Sequence, residues 1–164
     1  MIVSACDPES ADARALVADL SAALAGITGD SGAASFAAAD ARVARSLFVV
    51  ARGDDGALLG CGALRPLDGD VGDAVGQNVG EIKRMYARLG TRGVGAALLA
   101  HLEREAAVFG YRKLWLETRR VNTRAVAFYL THGYIEIPNY GKYVGRLEAI
   151  CFGKHLAKSC TSQV

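Results

Sequence analysis

The chain has 164 residues, about the size of one domain able to bury a shared core; 51% are apolar and 22% charged, which excludes a disordered or fibrous protein. Nineteen Lys and Arg against seventeen Asp and Glu leave a formal charge of +2, too little for the electrostatic footprint of a nucleic-acid binder. No apolar run reaches membrane-spanning length, and "MIVSACDPES" has neither a basic region nor a long apolar core, so a cytoplasmic protein without a membrane partner is expected.

In chain order, Met1 to Cys6 is a short apolar run that predicts a first strand. "DPES" carries helix-start residues ahead of a helix in which Leu16, Val17, Leu20 and Leu24 share one face and which Gly26 ends. A loop follows, then a second short helix in "FAAADARVA". "SLFVVAR" and "ALLGCGALRPL" predict an antiparallel hairpin, because "GDDG" between them supplies the positive φ of a tight turn. "DGDVGDAVGQNVG" is a long, turn-rich loop. "EIKRMYARL" predicts a strand in which Ile82 alternates with charged neighbours, and the helix behind the glycines runs to about Phe109 and Gly110. A strand in "KLWLET", a helix in "NTRAVAFYLTH" closed by Gly133, and late strands in "YIEI" and "AICFGK" complete the pattern. The prediction is one α/β domain over residues 1–156 with a C-terminal tail at 157–164, built on a mixed, mostly antiparallel sheet with helices on both faces. Cys6, Cys61, Cys151 and Cys160 stand singly, without metal-ligand spacing, so they read as free thiols and no metal is expected.

The chemistry is concentrated in "GTRGVGAALLAHLEREA", where glycines lead directly into a helix. Gly93 and Gly95 let the backbone turn sharply and approach a ligand while the first amides of the helix remain free for an anion such as a diphosphate. The same glycines could serve only as a strand-to-helix turn. No G-x-x-x-x-G-K-[ST] occurs, which excludes a P-loop. A dinucleotide fingerprint is a closer rival, since "GVGAAL" supplies two of its glycines and Glu117 sits where a ribose-binding acid would, which would make the protein an NAD(P)-binding oxidoreductase. Against that reading, Leu98 holds the third glycine position and the preceding strand alternates charged with apolar residues.

Strand, glycine loop, helix, the strand "LWLET" and then "NTRAVAFYLTHGY" resemble the Gcn5-related N-acetyltransferase family, whose N-x-x-A-x-x-[FL]-Y-x-x-x-G-[FY] pattern is met by Asn122, Ala125, Phe128, Tyr129, Gly133 and Tyr134. The likeness covers roughly Ser46 to Lys154. It implies acetyl-CoA as cosubstrate, its diphosphate held by Gly90, Thr91, Arg92, Gly93, Val94, Gly95 and Ala96, with Asn122, Phe128 and Tyr129 also at the cofactor. Two registers of the loop compete: Arg92 opens the literal R-x-x-G-x-A, whereas the spacing of Leu98, Leu99 and Leu102 fits better if Gly90 takes the place of the arginine in a shortened loop.

Acetylation of an amine needs a base for the nucleophile, a donor for the carbonyl oxygen and a proton for the thiolate. The resemblance places the base at Glu81, the backbone donor within Met85, Tyr86 and Ala87 at a bulge, and the acid at Tyr129. Arg84, Arg119, Arg120, Tyr140, Lys142, Tyr143 and Arg146 are candidates to meet a carboxylate-bearing acceptor. The function implied is acetyl transfer to a primary amine of a small molecule or peptide, in a ternary complex; a non-catalytic CoA sensor is the other alternative. The oligomeric state stays open, a homodimer being one possibility.

Overall fold

In the computed structural model, which describes residues 1–67, 71 and 78–157, the β-rich segments pair into one seven-stranded sheet of order β1-β2-β3-β4-β5-β7-β6. Its strands are β1 (Ile2–Ala5), β2 (Leu47–Arg52), β3 (Leu58–Pro66), β4 (Val79–Ala87), β5 (Lys113–Arg119), β6 (Ile135–Ile137) and β7 (Ala149–His155). Every neighbouring pair is antiparallel except β4 and β5, which the glycine-led helix α2 (Val94–Val108) connects in parallel. The other α-helices described over their full length are α1 (Ala11–Thr28) and α3 (Thr123–Thr131). A sheet with one parallel pair is not the doubly wound parallel core that a dinucleotide fingerprint serves, and Leu98 is fully buried where that fingerprint requires glycine. The dinucleotide reading falls on both counts.

Strand alternation sorts the side chains into two layers. Val49, Ala51, Leu64, Ile82, Leu114, Leu116 and Phe152 pack with α2 and α3 on one face. Phe48, Val50, Cys61 and Ala63 pack with Ala13 and Leu16 of α1 on the other. Trp115, Cys151, Tyr140 and Tyr143 form a smaller cluster at the far end of the sheet.

Three local expectations change. The first helix passes through Gly26, whose Cβ position meets nothing, and ends at Gly29, where φ of +77° lets the backbone N–H reach Ala25 O. In place of a second helix, residues 33–35 and 38–41 make two 3₁₀ turns. The strand expected to open at Glu81 begins at Val79, and its charged residues are buried along with its apolar ones. Most of the predicted loop after Leu67, Cys160 and the tail beyond Ala157 lie outside the described residues.

The irregularity that shapes the site lies in β4. Pairing with β3 runs Cys61↔Tyr86 and then Ala63↔Lys83, so Arg84 and Met85 together oppose Gly62. Arg84 is the extra residue of this β-bulge, with φ of +53°, a conformation most side chains avoid. On its other edge β4 pairs with β5 only from Val79 to Glu81. From Ile82 onward the two strands part, and β4 carries backbone N–H and C=O groups on that edge with no strand beside them.

Leu98, fully buried between α2 and the sheet, should cost about 2–5 kcal/mol when changed to Ala, whereas Leu147→Ala, at an 89%-exposed position, should stay within roughly 0.5 kcal/mol; urea unfolding measures both.

Candidate active site

Two cavities open where β4 leaves β5. The larger, about 660 Å³, lies between the C-terminal half of α1, the end of β4, the glycine loop and the start of α3. Gly93 caps α2 with φ of +72° and no side chain, so the amides of the first helical turn, which no helix can satisfy internally, are presented at this groove by Val94, Gly95 and Ala96. Gly95 packs closely on α3: a Cβ there would stand 3.2 Å from the Phe128 ring. Asn122 holds the start of α3 in place by accepting the Ala125 N–H at 3.2 Å, and it lines the groove as well.

The second cavity, about 430 Å³, lies in the gap between Ile82–Met85 of β4 and Glu117–Arg119 of β5, under the turn after α1 and the segment around Tyr143. Leu20, Leu24, Met85, Asn122, Ala125 and Tyr129 line both cavities, so the two meet at this point. Tyr129 is almost wholly buried at the junction, and burial pushes its phenol well above the ordinary tyrosine range.

Glu117 stands in the second cavity with its Oε1 buried and without a hydrogen-bond partner. Desolvation raises its pKa, an effect that Arg119, 3.9 Å away, and Lys83 oppose without cancelling. Lys83 is buried too; desolvation lowers its pKa, and its Nζ donates to the Tyr143 hydroxyl at 2.9 Å.

Glu81, expected as the base, is not in this cavity. Arg65 donates from Nε to its Oε1 at 2.9 Å and the Tyr140 hydroxyl donates to its Oε2 at 2.6 Å, and all three surround a separate cavity of about 160 Å³. Tyr140 is therefore turned away from the gap as well. Both carboxylate oxygens of Glu81 are engaged, at 3% exposure, which makes it a structural anchor between β3, β4 and the loop before β7.

Of the other expected residues, Met85, Tyr86, Ala87, Thr91, Gly93 to Ala96, Asn122, Phe128 and Tyr129 come together around the larger groove, whereas Gly90 and Arg92 do not line it. Arg84, Arg119, Lys142, Tyr143 and Arg146 line the second cavity, and Arg120 instead pairs with Glu136 on the surface. The sequence reading passed over Lys83 and the wall supplied by α1, and gave Glu117 only a ribose role. The alternation of β5 held the missing signal: Leu114 and Leu116 take the α2 face, which sends Trp115 and Glu117 to the other.

An extended groove thus ends in free helix amides and joins a pocket that holds a buried carboxylate oxygen without a hydrogen bond. The model of the Acetyltransferase (GNAT) family matches residues 16–134, and the chain belongs to that family. An IAA acetyltransferase of Azospirillum brasilense is 35% identical over 98 residues, a match that spans 58% of this chain and 59% of that protein. Among solved structures, a protein of Klebsiella pneumoniae subsp. pneumoniae described as an acyl-CoA N-acyltransferase superposes with a TM-score of 0.75 at 24% identity, covering 95% of this chain and 97% of its own. A ribosomal-protein-alanine N-acetyltransferase of Brucella melitensis gives 0.71 at 18% identity, over 95% of this chain and all (100%) of its own. At these identities the two structures establish the fold, and family membership supports acyl transfer as the general chemistry. No helix among the described residues is long and apolar enough to cross a membrane, and no group of three His, Cys, Asp or Glu among them could hold a metal ion.

Because burial raises the pKa of Glu117, the folded state loses stability as pH rises from the ordinary carboxylate pKa to the raised native one, and the cost is fully present above it. Glu117→Gln should accordingly raise the urea midpoint near pH ~8 and leave it unchanged near pH ~4, where both forms are neutral.

Proposed function

We propose that the protein transfers the acetyl group of acetyl-CoA to a primary amine of a small molecule or peptide, directly, with both substrates bound at once. The observation that carries this reading is the meeting of the two cavities at Met85, Asn122 and Tyr129, one reaching the uncapped amides of α2 and the other the unpartnered oxygen of Glu117.

The groove fits the cosubstrate on its own terms. Val94, Gly95 and Ala96 offer amides suited to a diphosphate, with Thr91 beside them. The edge of β4 from Met85 to Ala87, free of β5, has backbone groups for the amides of an extended ligand. Bound there, acetyl-CoA supplies an electrophilic thioester carbonyl and a thiolate leaving group.

The remaining chemistry belongs to the chain. An alkylammonium near pKa ~10 must lose a proton to become a nucleophile. Glu117, whose burial raises its proton affinity, accepts that proton better than an ordinary carboxylate and faces the cavity where the amine would stand. The bulged backbone at Met85 has N–H groups outside the regular ladder, suited to a carbonyl oxygen that gains negative charge. Tyr129, kept protonated by burial, has a proton to give to the sulfur that leaves. The ammonium gives up two protons in all: the first goes to Glu117 and from there to solvent, and the second leaves the nitrogen as the adduct collapses and replaces the proton that Tyr129 gives to the sulfur, so the exchange balances with one proton released. Glu81 serves this scheme from outside, by fixing β4 against β3. A CoA sensor without catalysis would have no use for a buried carboxylate oxygen without a hydrogen bond in the cavity that Tyr129 also lines.

Saturating acetyl-CoA, at about a hundred times its Kd, should stabilise the protein by about 2.7 kcal/mol and raise Tm by several degrees, with NAD giving no shift. With an accepted amine, Glu117→Gln should lower kcat about 10²–10⁴-fold and remove the acidic limb of the pH profile, on which activity rises as Glu117 loses its proton. Tyr129→Phe should lower kcat with an unchanged Kd for CoA; unchanged turnover would take Tyr129 out of the mechanism. Release of free thiol from acetyl-CoA is the assay.

A further inference from the structure

The second cavity is more basic than its surroundings require. Its cationic lining side chains are Lys83, Arg84, Arg119, Lys142 and Arg146, set against two acids, Asp30 and Glu117. Arg119 is balanced by Glu148 at 3.0 Å and Asp30 at 3.4 Å, and Lys83 faces the field of Glu117. Arg84, Lys142 and Arg146 have no carboxylate within ion-pair distance among the described residues.

Arg84 is the costly one of the three. It is 8% exposed, its Nε is buried without a hydrogen-bond partner, and its Nη1 has only the Ser31 carbonyl, at 3.4 Å. Desolvation lowers its pKa, the sign of a guanidinium short of a counter-charge. Its backbone also carries the positive φ of the bulge, where a residue such as Asn or Gly would sit with less strain. A strained backbone and a buried, unpaired cation at one residue are both destabilising, and an anion in the cavity relieves the second.

We infer that the acceptor is a small amine that also carries a carboxylate, the free amino acids being the simplest such class, with its amine directed to Glu117 and its carboxylate to the buried Arg84 and the exposed Lys142 and Arg146 that line the same cavity. This rests on the acetyl-transfer reading and narrows it. The two unpartnered groups of the cavity, one acceptor and one donor, match the two ends of such a molecule. A polyamine or other polycationic acceptor would meet three unpaired positive charges and is disfavoured. The volume of about 430 Å³ lies in the range of small-molecule sites.

The test is a binding measurement, so that it stands apart from turnover. The protein saturated with CoA is titrated calorimetrically with the proteinogenic amino acids, β-alanine and γ-aminobutyrate, each paired with its carboxamide, which keeps the amine and removes the negative charge. At least one acid should bind about ten- to a hundredfold more tightly than its amide. Arg84→Asn, a residue suited to the positive φ, should abolish that preference while the Kd for CoA stays unchanged. The inference is overturned if no acid outbinds its amide, a comparison the wild-type protein answers even where the variant fails to fold. A preference that survives in folded Arg84→Asn overturns the role of Arg84. If acids are preferred in binding but no pair releases thiol from acetyl-CoA, the acetyl-transfer reading fails and the anionic-acceptor site stands.

Discussion

The loss of pairing between β4 and β5 beyond Glu81 is the constraint on which the rest of the site depends. A sheet that kept its ladder through Lys83 and Met85 would leave no gap for a substrate and no free backbone edge. The bulge at Arg84 makes the departure possible, because one extra residue bends the strand and increases its twist. It also resets the alternation, so that Lys83 and Tyr86 lie on the α1 face while Ile82 and Met85 face α2. Everything the two cavities share is arranged around this departure.

Electrostatics then separates two glutamates that look alike in the sequence. Glu81 lies where the ladder is intact and is saturated by Arg65 and Tyr140, a buried pairing that secures three segments of chain. Glu117 lies where the ladder is broken, keeps one oxygen without a hydrogen bond, and has its pKa raised by desolvation. Both oxygens of Glu81 are occupied, which leaves it none to offer a substrate; Glu117 has one, and the folded state bears the cost of keeping it so.

The glycines before α2 have separate tasks. Gly93 provides the left-handed turn that ends the loop without a capping side chain, which leaves the helix amides uncommitted. Gly95 provides clearance, since a Cβ there would stand 3.2 Å from the Phe128 ring. Through that contact the loop and the pattern from Asn122 to Tyr134 form one unit, although nearly thirty residues of helix and strand lie between them.

The sequence by itself determined the element order, the mixed and mostly antiparallel sheet, and the glycine-led helix start, because these follow from local periodicity, turn chemistry and capping. The pattern around Asn122 and Tyr129 was legible for the same reason, its spacing being that of one helix with a cap and a buried face. The assignment of the glutamates was not legible. Which carboxylate is paired and which is left open depends on Arg65 and Tyr140 arriving from other strands and loops, and on a bulge that shows in the sequence only as an arginine among strand residues. The wall contributed by α1 was hidden likewise, since the apolar face of the helix shows that it packs but not that its end also borders a gap in the sheet. Local chemistry fixed the elements; burial, register and the parting of two strands decided which side chains do the chemistry, because charge and pKa are set by neighbours that only the folded chain brings together.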